Sequence, residues 1–224
     1  KLWLDATNIK GNNNADLTPG GAVGFWMDLS GKGNHANKAG GDPKYNNNEE
    51  SIKFDGNDYF KINNTVVTTN KQSIFIIQKV DYSDNRVDRQ RSLITSYKNS
   101  QHFQINYRHN HKFYYRRLIN NSSYKTNDFI FDTNQYPNQR RLLGFKTKNN
   151  DNSYDSTIYF DGKEMNNDTF TSLKELSGYQ LNIGLQNIFY YKGAISEIII
   201  FNEALELEET YKINHYLAKK WGLE

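Results

Sequence analysis

The sequence predicts an all-β protein, a two-sheet antiparallel jelly-roll sandwich with a short C-terminal α-helix. Three observations lead there. Short runs of alternating apolar and polar residues recur along the chain, separated by Gly, Asn and Asp. The run 195–201 is apolar on both faces apart from Ser196 and Glu197, as expected of a strand covered on both sides. Immediately after it, apolar residues fall at helical spacing up to Trp221.

The elements follow in order. Residues 2–5 read as a first strand, and Phe25-Trp26-Met27-Asp28 as a second run after a loop rich in Gly and Asn. Residues 51–54 and 58–62 flank Asp55-Gly56, a two-residue hairpin signal, because both residues tolerate the positive φ that such turns need. Residues 73–80 form a long buried strand, and 93–97, 102–107 and 112–118 follow it. The runs 141–148 and 153–160 come next, the second ending in another Asp-Gly, Asp161-Gly162. Residues 180–184 and a last strand opening on Phe189-Tyr190-Tyr191 complete the set.

In the helix, Leu207, Tyr211, Leu217 and Trp221 make the apolar stripe, with Ile213 beside it and Asn214 as a polar gap. Glu208 and Glu209 in the first turn and Lys219 and Lys220 in the last suit the helix dipole, and Gly222 is a stop signal. No Pro- or Ser-rich linker divides the chain, so residues 1–224 read as a single domain.

Composition narrows the class. Hydrophobic residues are only 36%, but 16 Tyr and 13 Phe supply large rings that fill a sandwich core with fewer side chains. The absence of cysteine excludes a disulfide framework and a thiolate metal site. No apolar run approaches the ~20 residues of a membrane span. With neither an initiator Met nor a signal peptide, the sequence reads as a mature fragment or an excised domain. The Asn clusters at 12–14, 46–48 and 149–150 read as loops, and sequons at Asn63, Asn120, Asn121 and Asn167 are expected by chance in so Asn-rich a chain.

Both ends carry recognisable blocks: Leu2-Trp3-Leu4-Asp5-Ala6, then 26–36 with Trp26-Met27-Asp28-Leu29-Ser30-Gly31-Lys32-Gly33, then Ile52-Lys53-Phe54-Asp55-Gly56-Asn57-Asp58-Tyr59. At the far end stand 193–205 and Tyr216-Leu217-Ala218-Lys219-Lys220-Trp221-Gly222-Leu223. In content and order these resemble the bacterial and viral branch of the concanavalin A-like lectin/glucanase superfamily, the laminin G-like domains. Glu206 departs from the pattern, standing where that family offers a Ser as helix N-cap. The resemblance implies a jelly roll with a concave face, and it implies no single ligand.

All eight arginines fall between positions 86 and 141: Arg86, Arg89, Arg91, Arg108, Arg116, Arg117, Arg140 and Arg141. From 86 to 146 twelve Lys and Arg face three acids, Asp88, Asp128 and Asp132, in a chain whose net charge is only +3. Guanidinium groups bind carboxylate, sulfate and phosphate bidentately and stack on rings. The blander reading is a solvated basic face. A finer pattern favours a site. If 102–107 and 112–118 pair through Arg108-His109-Asn110-His111, then Phe103, Ile105, Tyr107, Phe113 and Tyr115 share an apolar face. Gln104, Asn106, Arg108, Tyr114 and Arg116 share the opposite one, with His111 at its edge. An exposed sheet surface carrying amides, a ring and guanidinium groups suits a sugar.

The Glu-x-Asp-x-x-Glu strand motif of the superfamily's glucanases is absent, as are the nucleophile elbow, phosphate loop and zinc-protease motifs, so no enzymatic activity is expected. No cofactor is required. Structural calcium is compatible, at Asp28 with its following loop or at Asp81, Asp84 and Asp88.

The expected function is a non-catalytic carbohydrate-binding, lectin-like module for recognition or adhesion at a cell or virion surface, outside the cell, an acidic glycan among its candidate ligands. The alternative is a structural or assembly domain of such a surface, binding protein rather than glycan. The expected partners are a glycan or glycoconjugate and other subunits of a surface assembly, with neither nucleic acid nor membrane insertion.

Overall fold

The computed structural model describes residues 1–67, 71–81, 91–98, 100–108, 112–118, 124–130, 138–171 and 179–223. Two eight-stranded antiparallel sheets form the sandwich. The first runs β14 (Lys163–Phe170), β13 (Ser153–Phe160), β12 (Arg141–Asn150), β7 (Gln72–Val80), β18 (Lys192–Phe201), β5 (Ser51–Asp55) and β4 (Lys44–Asn46), with β1 (Leu2–Asp5) also paired to β18. The second runs β11 (Tyr124–Ile130), β10 (Lys112–Leu118), β9 (Ser100–Arg108), β8 (Arg91–Lys98), β15 (Gln180–Ile183), β6 (Tyr59–Ile62), β3 (Ala36–Gly40) and β2 (Phe25–Trp26). A small hairpin of β16 (Leu185–Gln186) and β17 (Phe189–Tyr190) lies beside β8.

The inner faces enclose one apolar core. Ile74, Ile76, Ile198 and Ile200 from the first sheet meet Phe103, Ile105, Phe113 and Tyr115 from the second. Aromatic rings bridge the gap: Tyr115 stacks on Phe145 at 6.0 Å, and Phe129 meets Phe160 at 5.3 Å. Among the described residues, thirteen aromatic side chains belong to this core.

β18 is central. One edge pairs with β7 and the other with β5 and then β1. A bulge between Ile195 and Glu197 shifts the alternation by one residue. Ile195, Ile198 and Ile200 therefore face the sandwich core, while Ile199 and Phe201 face outward. There α1 (Leu207–Trp221) covers them through Leu217 and Trp221, joined by Phe75, Ile77, Leu142 and Leu205. This second apolar layer is why β18 is apolar on both faces.

Glu197 sits in that layer, fully buried. Its Oε1 accepts the Trp3 indole N–H at 2.7 Å, and its Oε2 accepts the Trp221 indole N–H at 2.6 Å and Lys220 Nζ at 2.8 Å. Lys220 also reaches Asp5 Oδ2 at 2.5 Å. Burial, aided by the Asp5 charge, raises the Glu197 carboxyl above its ordinary value, while Lys220 and Trp221 act against the rise. Burial works against the Lys220 ammonium, but its bonds to Asp5 and Glu197 prevail and raise it.

The helix differs from expectation in its stripe. Thr210, Asn214, Leu217 and Trp221 are buried, whereas Leu207 and Tyr211 are exposed at 53% and 56%. Helical spacing alone does not say which of two adjacent rows meets the sheet. Glu206 is the N-cap, and the Glu209 carboxylate accepts its backbone N–H at 2.9 Å, which compensates for the missing Ser. Gly222 closes the helix in the left-handed conformation at φ 62°.

The two Asp-Gly signals part company. Asp161 and Gly162, at φ 47° and 77°, make the tight β13–β14 hairpin. Asp55-Gly56 does not make a hairpin, because β5 belongs to the first sheet and β6 to the second. There the buried Asp58 carboxylate accepts the N–H groups of Asp55 at 2.7 Å and Asp42 at 2.6 Å and fixes a corner between sheets. Phe189 and Tyr190 likewise form β17 rather than opening the last strand. Strands β3, β4, β11 and β14 lacked a sequence signal. β11 and β14 are mostly polar edge strands, so alternation is weak there.

Trp221→Ala is expected to cost about 3–5 kcal/mol in a denaturant melt, and Tyr211→Ala less than about 0.5 kcal/mol. Equal melting of Trp221→Ala and wild type would mean that the helix is not docked through this ring.

Candidate functional site

The outer face of the second sheet carries the predicted polar row. In the β9–β10 pairing Tyr114 stands opposite Asn106, Arg116 opposite Gln104, and Lys112 opposite Arg108. Phe103, Ile105, Tyr107, Phe113 and Tyr115 turn inward to the core. The structure thus brings Gln104, Asn106, Arg108, Tyr114 and Arg116 to one face. His111 lies outside the described residues.

One feature departs from the expected open platform: Gln104, Asn106 and Tyr114 are buried, at 1%, 0% and 2% exposure. The cause is the β16–β17 hairpin beside β8, which the sequence did not reveal. From it Gln186, itself buried, reaches over the sheet. Asn106 Nδ2 lies 2.8 Å from Gln186 Oε1, 3.0 Å from the Tyr114 hydroxyl and 3.2 Å from Gln104 Oε1. These amides lock the flap to the sheet and hold the Tyr114 ring in place. Burial raises the Tyr114 phenol above its ordinary value, with the Asn106 bond and the Arg108 charge acting against the rise.

What borders the buried Tyr114 ring at the surface is a pair of guanidinium groups, with the exposed Tyr124 ring beyond them. Arg108 is exposed, and its guanidinium lies 5.1 Å from the Tyr114 ring centroid. Arg116 lies 5.4 Å from the same ring and 5.5 Å from that of Tyr124, while its Nε donates to Thr126 Oγ1 at 3.2 Å. Tyr124 and Thr126 come from β11, the polar edge strand. Asp128, the nearest acid in the pairing, takes Lys112 at 3.1 Å instead. Among the described residues neither Arg108 nor Arg116 has a carboxylate partner. Both guanidinium groups are oriented by rings, a geometry that leaves N–H edges for a carboxylate, a sulfate or sugar hydroxyls.

The other described arginines serve the scaffold, so the basic region is not one patch. Arg91 donates to the backbone carbonyls of Asp81 and Lys192. Arg117, adjacent to Arg116 but pointing inward, is buried beside Phe103. Arg140 donates to the Glu49 carbonyl and lies 4.7 Å from the Trp221 ring centroid. Arg141 pairs with Asp161 at 2.8 Å.

Asp28, a candidate calcium ligand from sequence, is a backbone staple. Its Oδ1 accepts the N–H groups of Trp3 and Ser30, both at 3.0 Å, and its Oδ2 that of Asn34 at 2.9 Å. Burial works against ionisation, but these bonds prevail and hold the carboxyl below its ordinary value. Among the described residues no cluster of three or more His, Cys, Asp or Glu is placed to hold a metal. Asp84 and Asp88 lie outside them.

No protein-family model matches the sequence, and no curated protein matches it. Solved structures do. A botulinum neurotoxin type G receptor-binding domain is similar at 16% identity and a TM-score of 0.69, covering 88% of this chain and 51% of that one. A serotype D ligand-binding domain in complex with N-acetylneuraminic acid is similar at 18% identity and a TM-score of 0.69, covering 96% and 50%. A neurotoxin DC binding domain in complex with rat synaptotagmin II is similar at 17% identity and a TM-score of 0.65, covering 96% and 51%. The chain spans about half the length of these structures, and the likeness is one of fold. It agrees with the two-sheet sandwich, and the matched proteins are binding domains rather than catalytic ones. No helix among the described residues is long and apolar enough to cross a membrane.

Because the folded Asp28 pKa is depressed, its contribution is present above the unfolded value and lost as pH falls through the folded one. Denaturant melts from neutral pH to about pH 2 should therefore show wild type losing more stability than Asp28→Asn on acidification. Identical losses would contradict the staple.

Proposed function

We propose that this chain is a non-catalytic glycan-binding module, with Arg108, Arg116 and Tyr124 as its ligand face, the buried Tyr114 ring as the support between the two guanidinium groups, and an acidic glycan as its ligand. The observation that carries the reading is the pair of ring-oriented guanidinium groups without carboxylate partners among the described residues. A sugar carboxylate or sulfate satisfies such a fork bidentately, and the Tyr124 ring, 38% exposed, offers a surface for a pyranose face. Similarity in fold to a domain solved with N-acetylneuraminic acid supports an acidic sugar. Gln104 and Asn106 hold Tyr114 under its flap, and His111 stays part of the proposed ligand set.

The finer family reading, a concanavalin A-like or laminin G-like domain, rests on the terminal sequence blocks. With it go a place on a cell or virion surface and the reading of residues 1–224 as a single such domain. Structural calcium stays part of the proposal, at Asp28 with its following loop or at Asp81, Asp84 and Asp88.

A second reading is a protein-binding assembly domain. A neighbour in fold was solved with the protein synaptotagmin II, and an arginine–tyrosine row also suits a protein interface.

A glycan array probed with and without calcium decides between the two. The proposal expects binding to acidic glycans, weakened about tenfold or more by Arg116→Ala, as loss of charged hydrogen bonds implies, with an unchanged melting temperature. Binding to no glycan in either condition would leave the protein-binding reading.

A further inference from the structure

A cleft of about 390 Å³ lies away from the arginine row, on the outer face of the first sheet beside the end of α1. We propose that it is a second, independent ligand site, for a neutral hydroxyl-rich ligand, a sugar without an acidic substituent. The volume falls in the range of roughly 300–1,000 Å³ typical of small-molecule sites.

The register creates the hollow. Lys53 of β5, Ala194 of β18 and Lys79 of β7 stand side by side across the sheet, facing outward. The middle position carries only a methyl group. Its neighbour Gly193, which stands opposite the core-facing Phe54 and Val80, adds only backbone to the floor. Two long side chains therefore flank a floor of backbone. Asn46 and Glu49 close a third side, and Glu49 is fixed in place. Its Oε1 accepts Lys79 Nζ at 2.6 Å, and its Oε2 accepts Asn46 Nδ2 at 3.2 Å. The Arg140 guanidinium holds the Glu49 carbonyl from the helix side.

The chemistry selects the ligand class. The lining holds two ammonium groups, Lys53 and Lys79, and two carboxylates, Glu49 and Asp81. Lys79 pairs with Glu49, and Asp81 with Lys192 beside the cleft, so Lys53 carries the one unpaired charge among them. An anion would meet that single ammonium with two carboxylates close by. A polyol gains donors and acceptors together: carboxylate oxygens accept hydroxyl protons, and the Asn46 amide and the ammonium groups donate to hydroxyl oxygens. Lys53 is exposed and has no ion-pair partner among the described residues, so its donors are available. This site shares no residue with the arginine row and stands or falls separately from it.

The test is an amide chemical-shift titration of the whole chain with the methyl glycosides of glucose, galactose, mannose and N-acetylglucosamine. At least one is expected to shift the amides of Lys53, Gly193 and Ala194. Lys53→Ala combined with Asn46→Ala should weaken that response about tenfold or more, one charged hydrogen bond corresponding to that factor. Both residues are surface groups, so the variant is expected to keep the wild-type spectrum elsewhere. Arg116→Ala should leave this titration unchanged, which separates failure of the arginine row from failure of the cleft. Ala194→Phe, which fills the hollow, should abolish the response. If none of the four sugars shifts these amides, or if the double variant titrates like wild type, the cleft is not a sugar site.

Discussion

A single buried carboxylate ties the architecture together. Glu197 stands on the central strand and receives an indole N–H from the first strand, another from the terminal helix, and a lysine that also holds Asp5. Removing one partner of such a buried charge costs about 3–5 kcal/mol, because the remaining charge is stranded without water. The bulge at Ser196 matters for the same reason. Without the extra residue Glu197 would share a face with Ile195, inside the apolar core. The chain's two ends and its central strand are thus joined at one point, and the Trp221 ring fills the space beside it.

That arrangement sets which surfaces remain for binding. The helix occupies one part of the first sheet's outer face and leaves the Lys53 and Lys79 end open. On the second sheet the β16–β17 flap covers β8 and the amides of β9 and leaves Arg108, Arg116 and the edge strand β11 outside it. The arginine row lies at that boundary. The flap holds Tyr114 through Asn106, and Thr126 and Tyr124 of β11 hold Arg116, which suits a preorganised site.

The sequence disclosed contacts set by local periodicity. Alternation in 102–107 and 112–118 placed the correct residues on each face, because a one-residue slip would have buried Arg108 and Arg116 and exposed Phe113. Burial of the outer face was not legible. It depends on Gln186 meeting Asn106 across eighty residues. The arginines looked like one basic region because sequence proximity hides direction: Arg116 points out and Arg117 in. The same limit applies to the turns. Asp55-Gly56 and Asp161-Gly162 are identical dipeptides, and the Asp58 carboxylate makes one of them a corner between sheets.

In the proposed function the two guanidinium groups act as planar forks rather than as positive charge alone. Arg108→Lys combined with Arg116→Lys tests this most directly, since it preserves charge and removes the bidentate geometry. Titrated with a sialylated oligosaccharide at physiological salt, the double variant is predicted to lose most of the affinity of wild type while melting at the same temperature. Full affinity in the lysine variant would contradict the account.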